Sequence, residues 1–193
     1  MVITKREHNN GISYLLQVND TKVGKLLHNL GVPSGNKTKN PFLVPLFIFN
    51  NTFYKKRFLQ AILEDELTTI KIKEKCNCIT PRFKMAKSER YLTNLRKFLE
   101  QIRTMLIELG VNCGEVSKNP YFLSIQKDGT KTYTLYFSIF PNRKNIFNFK
   151  REISFRYNNN KINNLNLCCK ILKKSLIIRK ERPDYRRVYL LRT

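Results

Sequence analysis

In 193 residues the chain carries 37 Lys and Arg against 14 Asp and Glu, a formal net charge of +23 at pH 7. With 41% hydrophobic residues, 13 Phe and 9 Tyr there is apolar material for a sizeable core, which excludes a disordered basic tail. A one-signed surplus this large implies a polyanionic partner. Nucleic acid is favoured over anionic lipid, because the longest apolar run, Pro41 to Phe49, falls far short of the roughly 18 residues that span a bilayer.

At the start of the chain, Ile12, Tyr14, Leu16 and Val18 alternate with Ser13, Gln17 and Asn19. That alternation predicts a half-buried strand, paired with Val2 to Glu7 across a turn at Asn9, Asn10 and Gly11. Asp20 is placed to cap a short helix with Val23, Leu26, Leu27 and Leu30, stopped by Gly31 and Pro33. Pro33 to Pro45 reads as loop. From Thr52 a second helix is expected, with Phe53, Arg57, Phe58, Ala61, Ile62 and Leu67 at helical spacing, and it ends in Glu64, Asp65 and Glu66. Carboxylates at a helix C-terminus oppose the macrodipole at a cost of a few tenths to about 1 kcal/mol each, so they imply a reason other than helix stability.

The clearest period-2 pattern comes next. Thr69, Lys71, Lys73 and Lys75 share one face against Ile70 and Ile72, and Thr80, Arg82, Lys84 and Ala86 oppose Phe83 and Met85. The two runs predict a hairpin with one apolar and one cationic face. Lys71, Lys73, Lys75, Arg82 and Lys84 are then candidate DNA-binding residues, since a two-stranded ribbon fits the major groove. A merely solvated strand face is the alternative. Ser88 is expected to cap a core helix with a continuous stripe from Tyr91 to Leu109, ended by Gly110. Two strands follow, Tyr121 to Gln126 and Tyr133 to Ile139, around a turn at Asp128 and Gly129. Pro141 and Asn142 then open a helix with Ile146, Phe149 and Ile153. After Asn158 to Asn160 comes a last helix with Leu165, Leu167, Cys168, Ile171 and Leu172, and a basic tail from Ile177 reads as strand or arm.

The opening hairpin and helix repeat the second half of the later order, which suggests an incomplete internal duplication. Cys76, Cys78, Cys113, Cys168 and Cys169 show neither disulfide-framework nor zinc spacing and read as buried free thiols in a reducing compartment. The charged N-terminus lacks the apolar run of a secretory signal. A cytoplasmic protein without membrane attachment is expected.

Three segments together resemble the archaeal-type LAGLIDADG (DOD-type, dodecapeptide) homing endonucleases, which occur free-standing or within inteins. They are LLHNLGVPSGNKTKN from Leu26 with RFLQAILEDEL from Arg57, then FKMAKSERYLTNLRKFLEQIRTMLIELGV, and FSIFPNRKNIFNFKREISFRYNNNK, in which Ser154 stands where the family usually has Gly. The resemblance implies an α+β fold of αββαββα units whose saddle-shaped antiparallel sheets sit on double-stranded DNA. It implies units at 1–50 (the C-terminal half of a first unit) and 51–175 (a complete unit), with a basic tail at 176–193. It also implies Mg²⁺ held by Glu66, with Glu64 at the first acidic position, and basic catalytic residues at Lys144, or Arg143, and Lys22. Leu59, Ala61, Ile62 and Leu63 match apolar helix-interface positions. Leu67 departs from the motif's closing Gly, and Asp65 from a small residue.

On this resemblance only one LAGLIDADG helix is present. A full site then requires a homodimer through the helix from Phe58 to Leu67, and the other expectation is a truncated remnant. The competing function is non-catalytic binding of DNA or RNA on the same scaffold, as a transcription-regulator-like protein or an RNA maturase. A third reading, a basic ribosomal or RNA-coating protein with Tyr121, Tyr133 and Tyr136 stacked on bases, is disfavoured by the long apolar helix and the ordered strands.

Overall fold

The computed structural model describes the backbone of residues 2–8, 11–17, 19–33, 35–73 and 77–181 and the side chains of 4–5, 17, 19–33, 35–72 and 78–174. The turn at Asn9 and Asn10, Lys75, the side chain of Lys73, Cys76 and the tail beyond residue 181 lie outside the described residues.

The fold is α+β. Strands β1 (Val2–His8) and β2 (Gly11–Gln17) form the expected antiparallel hairpin, with Lys5 opposite Tyr14. Helix α1 (Thr21–Asn29) starts where Asp20 Oδ1 accepts the Lys22 and Val23 N–H groups at 2.8 and 3.3 Å. It buries no residue: Leu26 is 58% exposed. The chain then runs as a pinned loop along the domain edge. Ser88 N–H donates to the Thr38 carbonyl (3.0 Å), Phe42 N–H to Asn94 Oδ1 (3.0 Å) and Val44 N–H to Gln101 Oε1 (2.9 Å). The end of the apolar run forms a short helix, α2 (Leu46–Phe49), and buries Ile48.

Helix α3 (Thr52–Glu66) is capped by Asn51 and buries Leu59, Leu63 and Glu64. Leu59 and Leu63, which the resemblance assigns to a helix interface, are fully buried within this chain; Ala61 and Asp65 are exposed, as are Thr52, Phe53, Tyr54 and Arg57 earlier in α3. The expected cationic hairpin is not formed as drawn. The first run is reduced to β3 (Ile72–Lys73), which pairs with β4 (Asn77–Cys78). Residues 82–88, β5 (Arg82–Ser88), pair instead with β7 (Lys131–Ser138), and β6 (Tyr121–Ile125) lies on the other side of β7. The physical reason is apolar matching. Phe83 and Met85 of β5 face Phe137 and Leu135 of β7, with the two Phe rings stacked at 5.3 Å, whereas Ile70 of the first run is buried against the helix that ends the described chain. The two runs still touch through Leu67 opposite Phe83 and a Thr68 Oγ1 that accepts the Arg82 N–H at 2.8 Å.

One face of this sheet carries the core. Helix α4 (Leu92–Glu108) lays Leu95, Phe98, Leu99, Ile102, Met105 and Leu106 against it and ends at Gly110, whose φ of +76° needs no Cβ. Ser88 gives no side-chain cap; a 3₁₀ turn, Glu89–Tyr91, leads into α4 instead. Helix α5 (Arg143–Glu152), capped by Asn142, buries Ile146 and Phe149. It closes on Ser154, the one non-glycine residue of positive φ (+60°) among the described residues, at the position where the resemblance expects Gly. Helix α6 (Asn159–Glu181) continues five residues into the stretch that reads as strand or arm from Ile177. Among the described residues no helix is long and apolar enough to cross a membrane.

Candidate functional site

The sheet face away from α4 is set by cross-strand register. Lys84 stands opposite Tyr136, Arg82 opposite Ser138, and Tyr121 opposite Thr134. The Arg82 guanidinium lies 5.1 Å from the Tyr136 ring centroid, and the Tyr136 and Tyr121 rings are 6.3 Å apart. Arg82, Lys84 and Tyr121 are exposed, and Lys71, also exposed, follows three residues after Thr68, whose side chain bonds the Arg82 backbone. Among the described residues no carboxylate pairs with Lys71, Arg82 or Lys84. Tyr133 belongs to the other face, edge-on to Phe122 at 5.8 Å, so of the three tyrosines singled out in the sequence two share the cationic face. Arginine stacked on tyrosine, with a second aromatic ring and a lysine alongside, offers both charge for phosphate and flat apolar surface for bases or sugars.

The acidic end of α3 is the second feature, and each of its three carboxylates has a different fate. Glu64 is 7% exposed, and its Oε1 accepts the N–H groups of Arg156, Tyr157 and Asn158 at 2.6, 2.6 and 2.9 Å. It is the anion of a three-amide nest that opens α6, a structural role the sequence did not disclose. Buried Lys161 works in the opposite direction. Its ammonium donates to the carbonyls of Glu64, of Leu67 (2.7 Å) and of Leu63 (3.4 Å) at the C-terminus of α3, with the Phe155 ring 5.8 Å away. Burial lowers the Lys161 pKa, opposed by the charges of Asp65, Glu64 and Glu66. The electrostatic cost of three acids at this helix end is thus offset by a cation from 95 residues downstream of Glu66. Glu66 Oε1 is held by Lys37 at 2.6 Å, and Asp65 is exposed. A groove of about 350 Å³ beside this helix end is lined by Ala61, Glu64, Asp65, Tyr157 and Asn158.

Lys22 and Lys144 each occupy the second position of a helix, α1 and α5, and both are exposed. Among the described residues neither is bonded to Glu66; the lysine that is, Lys37, belongs to the LGVPSGNK segment. No local signal in that segment marks its lysine as the partner of an acid 29 residues later.

The oxygen donors of Asp65 and Glu66 suit a hard cation such as Mg²⁺. The donor set within one chain does not: Glu64 spends Oε1 on the nest, Glu66 is ion-paired, and no group of three metal-capable side chains forms among the described residues.

No family model and no solved structure matches the chain. It is 34% identical over 153 residues to the DNA-directed RNA polymerase subunit Rpo1N of Methanocaldococcus jannaschii, a match covering 78% of this chain and 11% of that protein. It is 28% identical over 146 residues to the tRNA-splicing ligase RtcB of Pyrococcus furiosus, covering 74% of this chain and 14% of that protein. The chain therefore spans only a small part of the length of these curated relatives. Because each match takes about three quarters of the chain, the two overlap over more than half of it.

Proposed function

We propose that the chain is a DNA-binding protein of the LAGLIDADG homing-endonuclease type, which seats duplex DNA on the β5–β7 face and presents the acidic end of α3 toward the phosphodiester backbone. The observation that carries this reading is the Arg82–Tyr136–Tyr121–Lys84 face, free of carboxylates among the described residues, on a chain of net charge +23. The relatives support it from another direction. One segment recurs as a small fraction of two proteins whose names state different tasks, which fits a portable module better than either task. Ser154, in left-handed backbone at the family's glycine, fits the resemblance as well.

Mg²⁺-dependent hydrolysis of both strands at a long site is the catalytic form of the proposal. It needs carboxylates from a second copy meeting Asp65 and Glu66, with α3 as the contact helix. Binding without cleavage, to DNA or RNA, is the second reading. It is favoured by the engagement of Glu64 in the nest and of Glu66 with Lys37.

Duplex affinity measured from low to physiological salt is expected to fall steeply, with about 0.9 of log–log slope per phosphate contact. An affinity flat in salt overturns the proposal. The double variant Arg82→Ala, Lys84→Ala is expected to lower that slope by about 1.8 if both side chains meet phosphate. Incubation with a random-site duplex library in Mg²⁺ separates the two readings: cleavage lost in Glu66→Gln supports the endonuclease, and retained binding with no cleavage leaves the binding protein.

A further inference from the structure

We propose that Cys78 and Cys168 are an oxidation site that closes to a disulfide, tying β4 to α6. In sequence they lie 90 residues apart, with nothing in their spacing to connect them. The fold brings them together: Cys78 pairs across from Ile72, α6 packs on β3, and Cys168 bonds the carbonyl of Ile70, two residues before Ile72, so the two thiols lie close enough to act on each other electrostatically. That bond, 3.7 Å from Cys168 Sγ to the carbonyl of fully buried Ile70, holds the thiol at the base of the hairpin. Thiols set on facing elements that already pack together can close to a disulfide without the backbone movement that widely spaced cysteines require.

The pair is also asymmetric in the way a sulfenic-acid route needs. Cys78 is half-buried and reachable by a small oxidant, whereas Cys168 is 1% exposed and waits beneath it. A peroxide oxidises the Cys78 thiol to a sulfenic acid, releasing one water. The Cys168 sulfur then attacks the sulfenic sulfur, the S–S bond forms and a second water leaves; the two thiols lose two electrons and the peroxide gains them. Burial raises both thiols, Cys168 to about 12, so the first step is slow and the pair stays reduced until oxidant is in excess. Cys113 is an internal reference: it is buried elsewhere, against the Val111 carbonyl at 3.5 Å, and takes no part. Closure fixes the hairpin that follows exposed Lys71 to α6, beside the edge of the cationic face.

The folded full-length chain, treated with a modest excess of hydrogen peroxide and alkylated, is expected to lose two of its five free thiols. Tryptic mapping should then show the peptide Cys76 to Arg82 joined to Ile162 to Lys170. Each of these peptides holds two cysteines, so the link must persist in the double variant Cys76→Ser, Cys169→Ser. It must vanish in Cys78→Ser, a half-exposed position that leaves the core intact, as well as in Cys168→Ala. A cross-link formed only after unfolding in urea, or one lost in the Cys76→Ser, Cys169→Ser variant, overturns the proposal.

Discussion

Two hairpin-and-helix units of the molecule, β1–β2–α1 and β6–β7–α5, obey the same local rules and differ in what covers them. Both helices start at an Asx cap, Asp20 or Asn142, and both place a lysine at the second helical position, Lys22 or Lys144. The first leaves its apolar stripe in solvent, with Leu26 58% exposed; the second buries Phe149 completely. Capping and periodicity therefore suffice to place a helix, while its energetic weight comes from what it packs on, here α6 and Phe155.

That contrast can be broken by mutation. Phe149→Ala should lower the unfolding free energy by about 3–5 kcal/mol in urea titration, and Leu26→Ala by less than about 0.5 kcal/mol. Equal costs would mean that α1 has a hidden partner. Next in size, Lys161→Met should cost about 1–3 kcal/mol, because it strands three carbonyls at the end of α3; among the described residues α1 has no such clasp. Removing the caps sharpens the comparison further. Asn142→Ala should cost about 1 kcal/mol of global stability, whereas Asp20→Ala should show itself as faster amide exchange within α1 at an unchanged global midpoint. Ser154→Gly should move the other way, raising stability by up to about 1 kcal/mol as left-handed strain at φ +60° is relieved; a loss would mean that the serine side chain is needed there.

The last test is a slope with pH. Lys87, fully buried against the Asn40 carbonyl, Asn94 Oδ1 and the Phe42 ring, pins the loop that joins the two regions, and burial lowers its pKa from the ordinary 10.5 to about 8. Between those values the unfolded chain holds the extra proton, so this residue's contribution to stability rises with pH. The difference in unfolding free energy between the native chain and Lys87→Met should therefore grow in favour of the native chain from pH 8 to pH 10.5, and a flat difference would sink the assignment.

The legible parts of the sequence were those governed by short-range physics: both N-caps, the α4 stripe, the turn at Gly129 and the alternation of β5. What escaped it was pairing. Nothing local says that Phe83 prefers Phe137 to the Ile-Lys run just before it, because that choice depends on apolar surface supplied 54 residues later. The site was legible to the same degree. Arg82 and Lys84 were readable from alternation, and Tyr136 joins them only through register. The cluster of acids was visible, but its stabilisation was not, since one lysine after an asparagine run looks like any solvated cation.

The clasp between α3 and α6 also bears on the order of folding. Glu64 supplies the anion for the start of α6, and Lys161 supplies the cation for the end of α3, so neither helix terminus is satisfied until the other is in place. The two ends should therefore form and melt as one cooperative unit, and the amides of Arg156, Tyr157 and Asn158 should exchange their hydrogens in step with those at the foot of α3.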